Sequence, residues 1–367
     1  MGHGDTRMNA VRRKSRPVRA GSVGIGGDYP VAVQSMTNTP TSDAGATLGQ
    51  VRRLAALGAE LVRVSVPDDE SASSLGAIVR GSPVPIAADI HFRPDLALKA
   101  LDAGVSKLRL NPGNIRNRSD VLEIAARAAA LGVPIRVGIN SGSVPGDVLR
   151  RHGGLNPDSM WEAAKVHLDL LEESGFEDIV VSIKASDPLL TVEASRKAAA
   201  ECTYPLHIGV TEAGPPTLGA ARSAVAAALL LSDGIGDTLR VSVSGPPEEE
   251  VPIAWEILSS LGLRRGRPRL VSCPTCARSR VDVAGLAARV QQLLSGTRGD
   301  FVVAVMGCEV NGPGEALHAD LAVVGTPDGV ALYSGGRRIA GGLAADDLEK
   351  ALEDGIGSLA DKRGGSS

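Results

Sequence analysis

The chain of 367 residues carries 39 Lys and Arg against 42 Asp and Glu, a formal net charge of −3, and is 43% apolar. That length can bury a large core and suggests one large domain with a smaller one. Three Phe, two Trp and three Tyr are too few for the stacking platforms of a single-strand nucleic-acid binder, the charge offers no phosphate-wide field, and the longest apolar run, 224–231, falls well short of a membrane span.

Residues 1–19 are rich in Arg and Gly without an apolar stretch, and read as a flexible basic tail with no secretory signal; a cytoplasmic protein is expected. Short β-rich runs follow at 31–36, 61–66, 86–90, 107–111, 134–140, 178–184, 205–211 and 238–244. Between them lie segments of helical periodicity, among them 48–57, 94–103, 121–131, 161–174 and 251–261, and Gly58, Gly104, Gly132, Gly175 and Gly262 stand where helix C-termini favour glycine. Eight βα units at this spacing predict a (β/α)8 TIM barrel over 20–262, with an open doubly wound sheet as the alternative. The string LRRGRPR at 263–269 reads as a linker. Beyond it, strands at 270–272, 301–306, 319–324 and 330–333 and helices at 281–294 and 344–359 predict a smaller α+β domain over 270–360, then a flexible tail at 361–367.

Strand residues i and i+2 share a face. On one face the barrel strands place Arg63 and Ser65, Asp89 and His91, Arg109 and Asn111, Arg136, Gly138 and Asn140, Ser182 and Lys184, His207 and Thr211, then Arg240, Ser242 and Ser244, with Val, Ile and Leu on the other. A barrel interior is ordinarily branched and apolar. Here Arg63, Arg109, Arg136, Lys184 and Arg240 converge from five strands. One such cation is most simply a paired, stiffening charge, but five outnumber the acids these strands supply, Asp89 and Glu212. Buried like charges repel unless an anion sits among them, and guanidinium forks match phosphate oxygens, so a small substrate with more than one phosphate is expected. Neither a P-loop nor a complete GxGxxG is present. Glu212 follows the seventh strand, where a barrel of this kind keeps its chemistry, and can exchange a proton with a bound anion; a loop cap is the competing reading.

Cys273 and Cys276 form a CPTC pair, and Cys308 follows in GCEVNGPGE. Three thiolates leave one position of an iron-sulfur cluster open, and Glu315 lies across an Asn-Gly-Pro-Gly turn able to return its carboxylate to the same centre. A zinc site completed by His318 and a redox dithiol remain as alternatives. Cys202 reads as a small buried apolar residue.

The strings VQSMTNTPTSD (33–43), ADIHF (88–92), RLNPGNI (109–115), IRVGINSGS (135–143), SIKASD (182–187), PLHIGVTEAG (205–214), GIGDTLRVS (234–242), SCPTCAR and MGCEVNGPGEA closely resemble the 4-hydroxy-3-methylbut-2-enyl diphosphate synthase family in its bacterial two-domain form. The resemblance implies an oxidoreductase that opens 2-C-methyl-D-erythritol 2,4-cyclodiphosphate reductively to the linear allylic diphosphate, with two electrons passed through a 4Fe-4S cluster from reduced flavodoxin or ferredoxin. It implies Cys273, Cys276 and Cys308 as cluster ligands with Glu315 on the fourth iron, and Glu212 as the acid at the departing hydroxyl. Arg63, Arg109, Arg136, Lys184 and Arg240 correspond to a diphosphate clamp, with Asn140, Thr211 and Ser242 as hydrogen-bonding partners. VSGPP at 243–247 departs from the family pattern. The linker leaves the barrel opposite its mouth, and seven extended residues reach at most ~25 Å, so a head-to-tail homodimer is expected, each cluster domain closing the other chain's barrel, consistent with the dimeric family.

Overall fold

The computed structural model describes residues 11–111 and 117–363, so 112–115 of the RLNPGNI string lie outside the described residues, as do 1–10 and 364–367 of the expected tails. Of the described residues, 11–264 form one compact unit and 265–363 a second, a division that falls inside the expected linker.

The first unit opens with an antiparallel hairpin of β1 (Val18–Ala20) and β2 (Val23–Ile25). Then strand and helix alternate: β3 (Ala32–Met36), α1 (Ala44–Ala56), β4 (Leu61–Ser65), α2 (Asp69–Gly81), β5 (Ile86–Ile90), α3 (Pro94–Asp102), β6 (Lys107–Leu110), α4 (Arg118–Leu131) and β7 (Ile135–Asn140). The short α5 (Gly146–Arg151) precedes α6 (Pro157–Glu173), β8 (Ile179–Lys184), α7 (Pro188–Glu201), β9 (His207–Ile208), α8 (Pro216–Ser232), β10 (Thr238–Leu239) and α9 (Glu250–Ser260). Parallel pairing runs β8-β7-β6-β5-β4-β3-β10-β9, and a parallel bridge from Val181 to Leu206 joins the two ends of that order, giving a nearly closed eight-stranded barrel.

The pattern that predicts the strands also explains their burial. Val62, Val64, Ala88, Ile90, Leu108, Val137, Ile139 and Val181 turn outward and pack in one core with Leu54, Leu75, Ile78, Leu96 and Ile124 of the helices. Burying each Leu, Ile or Val contributes about 2 kcal/mol. Asp43, Asp68, Asn156 and Asp187 cap helix N-termini with their side chains, and Gly132 closes α4 in the left-handed region at φ 65.

Val18, Ala20 and Ile25 of the hairpin form a separate apolar cluster with Leu61, Ala87 and Val180, near the start of β4, β5 and β8, covering the end of the barrel where the strands begin. Residues 11–19, expected as the end of a loose tail, are tied down. Arg12 pairs with Asp237 at 2.9 Å, the Ser15 hydroxyl donates to the same carboxylate, and Arg13 donates to the Cys202 carbonyl at 2.6 Å. Cys202 itself caps the C-terminus of α7 and is half-buried, with burial pushing its thiol pKa up.

The second unit holds β11 (Arg269–Ser272), α10 (Val283–Leu294), β12 (Val302–Met306), α11 (Gly312–Ala316), β13 (Leu321–Thr326), β14 (Gly329–Ser334), β15 (Arg337–Leu343) and α12 (Ala345–Arg363). Strands β11, β12 and β13 are parallel, and β14 and β15 add antiparallel. One face packs Val303, Val305 and Val323 against Val290, Leu352 and Ile356 of α10 and α12, and the other packs Ala304, Ala322 and Val324 against Ala316 of α11. Residues 361–363, expected in the tail, continue α12.

Candidate functional site

The barrel places the cations where parity put them. Arg63 is the third residue of β4 and Arg109 the third of β6; Arg136 lies in β7, Lys184 ends β8, and Arg240 follows β10. Arg109, Arg136 and Lys184 are buried, Arg63 and Arg240 nearly so. Asn140 ends β7, and Thr211 and Ser242, both half-buried, follow β9 and β10 on the same side. Gly138 faces this interior too. A Cβ there would stand 3.1 Å from the Arg109 Nε, so the missing side chain leaves room for that guanidinium.

Two buried acids answer part of the charge. Asp89 lies 2.9 Å from Arg109 and 3.4 Å from Arg63. Burial works against its carboxylate, but Arg63, the His91 hydrogen bond and Arg109 outweigh that and hold its pKa below the usual carboxylate range. Burial brings the Arg63 pKa down to about 10, with Asp89 opposing the change. The second acid, Glu250 in the first turn of α9, takes the Arg240 fork at 3.0 and 3.2 Å and accepts from Ser35 Oγ and the Val243 amide. Sequence reasoning missed Glu250 because it lies on a helix, ten residues past Arg240. It also missed Lys107, two residues before Arg109 on the same face of β6. Lys107 is fully buried, and its Nζ meets Gln34 Oε1 at 2.9 Å.

Among the described residues six cations therefore share the interior with two carboxylates. Among the described residues Arg136 and Lys184 have no carboxylate within ion-pair distance; the Lys184 ammonium meets the His207 ring at 3.1 Å. Burial first, then the neighbouring cations, push the pKa of Lys107, Arg136 and Lys184 well below their usual values. Among the described residues the buried donors Arg109 Nε, Arg136 Nε and Gln34 Nε2 have no hydrogen-bond acceptor. Uncompensated donors and cations on this scale describe a receptor for an anion.

Glu212 is exposed on the loop after β9 and has φ 53, the one left-handed non-glycine conformation among the described residues. Such a conformation costs roughly 1 kcal/mol or more and marks a residue whose direction is fixed by its surroundings.

In the second unit Cys273 follows β11 and Cys308 follows β12, at the C-terminal ends of adjacent parallel strands. The Gly307 amide donates to Cys273 Sγ at 3.1 Å, and Arg280 N donates to the Gly307 carbonyl, tying the CPTC loop to the turn that carries Cys308. Hydrogen bonds from the Val310 amide first, then from the Asn311 amide and Arg278, lower the Cys308 thiol pKa against its desolvation. Cys276 is exposed, and so is Glu315 in α11. Among the described residues no three His, Cys, Asp or Glu side chains stand close enough to cage a single metal ion. Thiol donors beside backbone amides, one of them favouring the thiolate, fit a sulfur-bound cluster in chemistry.

No helix among the described residues is long and apolar enough to cross a membrane. The GcpE TIM-barrel domain matches residues 15–255 and the GcpE protein C-terminal domain residues 269–357. A relative from Natranaerobius thermophilus, named 4-hydroxy-3-methylbut-2-en-1-yl diphosphate synthase (flavodoxin), is 48% identical over 354 residues, 96% of this chain and 99% of its own. Relatives of the same name from Geobacter sulfurreducens and Nocardia farcinica are each 51% identical over 315 residues, 86% of this chain and 89% and 82% of theirs. With both family domains matched in order and half the residues shared along nearly the whole length, the chain belongs to the GcpE family of 4-hydroxy-3-methylbut-2-en-1-yl diphosphate synthases.

Proposed function

We propose that the barrel interior binds 2-C-methyl-D-erythritol 2,4-cyclodiphosphate and that the chain opens it reductively to 4-hydroxy-3-methylbut-2-en-1-yl diphosphate, in non-mevalonate isoprenoid precursor synthesis in the cytoplasm. The observation that carries this reading is the surplus of buried cations, with Arg136 and Lys184 lacking any carboxylate among the described residues. Arg63, Arg109, Arg136, Lys184 and Arg240 clamp the two phosphates, and Asn140, Thr211 and Ser242 fix the carbon skeleton by hydrogen bonds. Asp89 and Glu250 hold three of the guanidinium groups in place without neutralising the clamp.

Cys273, Cys276 and Cys308, with Glu315 as the fourth ligand, are the residues that would hold a 4Fe-4S cluster. Bound there, it would supply the two electrons of the reduction, drawn from reduced flavodoxin, the donor in the relatives' names, or a ferredoxin. As the ring C–O bond opens, Glu212 delivers the proton with which the hydroxyl leaves as water. Glu212→Gln should lower kcat about a hundredfold or more while leaving the Kd for the cyclic diphosphate within a few-fold. Steady-state turnover and calorimetric titration read the two quantities; an unchanged kcat would remove Glu212 from the proton transfer.

The dimer belongs to the same reading. Arg264 donates to the Val31 carbonyl at 2.7 Å and pairs with Glu60 at 2.9 Å, both just ahead of β3 and β4, so the chain leaves the barrel at the end opposite the cationic mouth. That supports a head-to-tail homodimer in which each cluster domain serves the other chain's barrel. Mixing Glu212→Gln chains with Cys276→Ser chains should then restore activity through dimers that combine one intact barrel with one intact cluster. Mixed dimers no more active than either parent would contradict a shared site.

A further inference from the structure

Lys184 ends β8 among Arg136 of β7, Arg240 after β10, Arg63 of β4 and Arg109 of β6. The buried acids nearby are engaged elsewhere, Asp89 with Arg63 and Arg109, and Glu250 with Arg240. The Lys184 ammonium meets His207 of β9 instead, Nζ to Nε2 at 3.1 Å. On the far side of the ring, Nδ1 lies 2.6 Å from Thr238 Oγ1 of β10. His207 is 1% exposed and Thr238 fully buried, so the chain is shielded from bulk solvent.

A hydroxyl, a neutral imidazole and an amine can each donate or accept, and the chain is therefore satisfied in two ways. With Lys184 neutral, the Thr238 hydroxyl donates to Nδ1 and the Nε2–H donates to the amine. With Lys184 charged, the ammonium donates to Nε2 and the Nδ1–H donates to Thr238. A carboxylate in place of His207 would form a permanent ion pair and withhold the cation from an incoming phosphate.

We propose that the Thr238–His207–Lys184 chain is a positioning device that holds Lys184 in place in either charge state, so that the clamp takes up a proton from solvent as the cyclic diphosphate binds. This rests on the substrate reading above. In the free protein burial, then Arg136, Arg240 and the other arginines, hold the lysine pKa well below its usual value. Burial, Lys184 and Arg136 likewise keep His207 neutral. An anion among them favours the ammonium and raises the lysine pKa again, so between the free and bound pKa values binding consumes a proton. The balance is simple: the amine gains a solvent proton, and no bond to the substrate forms or breaks. Each phosphate of the cyclic diphosphate has one strongly acidic oxygen, so the ligand itself exchanges no proton near neutral pH.

The test is a calorimetric titration of the oxidised holoenzyme with the cyclic diphosphate, without reductant, at neutral pH in buffers of different ionisation enthalpy. Wild-type protein should take up a fraction of a proton rising to about one per site. Lys184→Met should bind more weakly and take up none, and His207→Glu, which supplies a fixed counter-charge, should also bind more weakly with the uptake lost. Binding without net uptake in the wild type overturns the proposal. So does uptake undiminished in Lys184→Met, which would put the proton elsewhere, for example on Lys107. If the cyclic diphosphate does not bind at all, the substrate reading falls and this inference with it.

Discussion

Arg136→Met should make the ligand-free protein more stable and a much poorer binder. The wild-type guanidinium is 2% exposed, with its Nε unpartnered and no carboxylate within ion-pair distance among the described residues. Burial and the fields of Arg63 and Arg109 all disfavour its charge. Methionine fills much of the same volume without that charge, so thermal or denaturant unfolding should report a gain of roughly 1 kcal/mol or more. Binding of the cyclic diphosphate should weaken by about 2–4 kcal/mol, a rise in Kd of some thirtyfold to a thousandfold, because a desolvated phosphate oxygen loses a charged donor. The opposite signs matter. A cation kept for the fold would show a loss of stability and little change in affinity, and that pattern would contradict its place in the clamp.

Cys276→Ser should abolish turnover altogether. Serine is a poor ligand for iron, and a cluster left with two thiolates is expected to fall apart, so anaerobically purified variant should be colourless against a brown wild type carrying about four iron and four sulfide per chain. Cys276 is exposed and outside the apolar clusters of its unit, so circular dichroism should be unchanged. Full iron content in the variant would remove Cys276 from the ligand set. A colourless wild type containing zinc would favour the closed-site alternative left open by the CPTC spacing.

Much of this was legible in the chain because strand parity is a strict code. A cation at i+2 from another polar residue, in a run of Val and Leu, must face the other way from the core, and β4, β6, β7 and β8 follow that rule. The last two barrel strands are harder to read. The expected runs at 205–211 and 238–244 shrink to β9 and β10, two residues each, and Gly209, at φ 149 with the Arg240 carbonyl 2.2 Å from where its Cβ would sit, ends β9 where the two segments approach closely. The last strand, β15, has the sequence RRIAGGL, charged and glycine-rich with register shifts against β14, and nothing in its periodicity marks a strand. Glu250 was hidden for a different reason: its pairing with Arg240 joins a strand end to a helix start, and no single-element periodicity links them. The hairpin of β1 and β2 is too short to show alternation.

On the proposed function, the barrel interior is cationic because its guest carries two phosphates. Titrating the oxidised holoenzyme with the cyclic diphosphate, and separately with a monophosphate of the same polyol, tests this most directly. The cyclic diphosphate should bind at least about a hundredfold more tightly, since a single phosphate leaves part of the clamp unpaired. Equal affinity for the two ligands would contradict it.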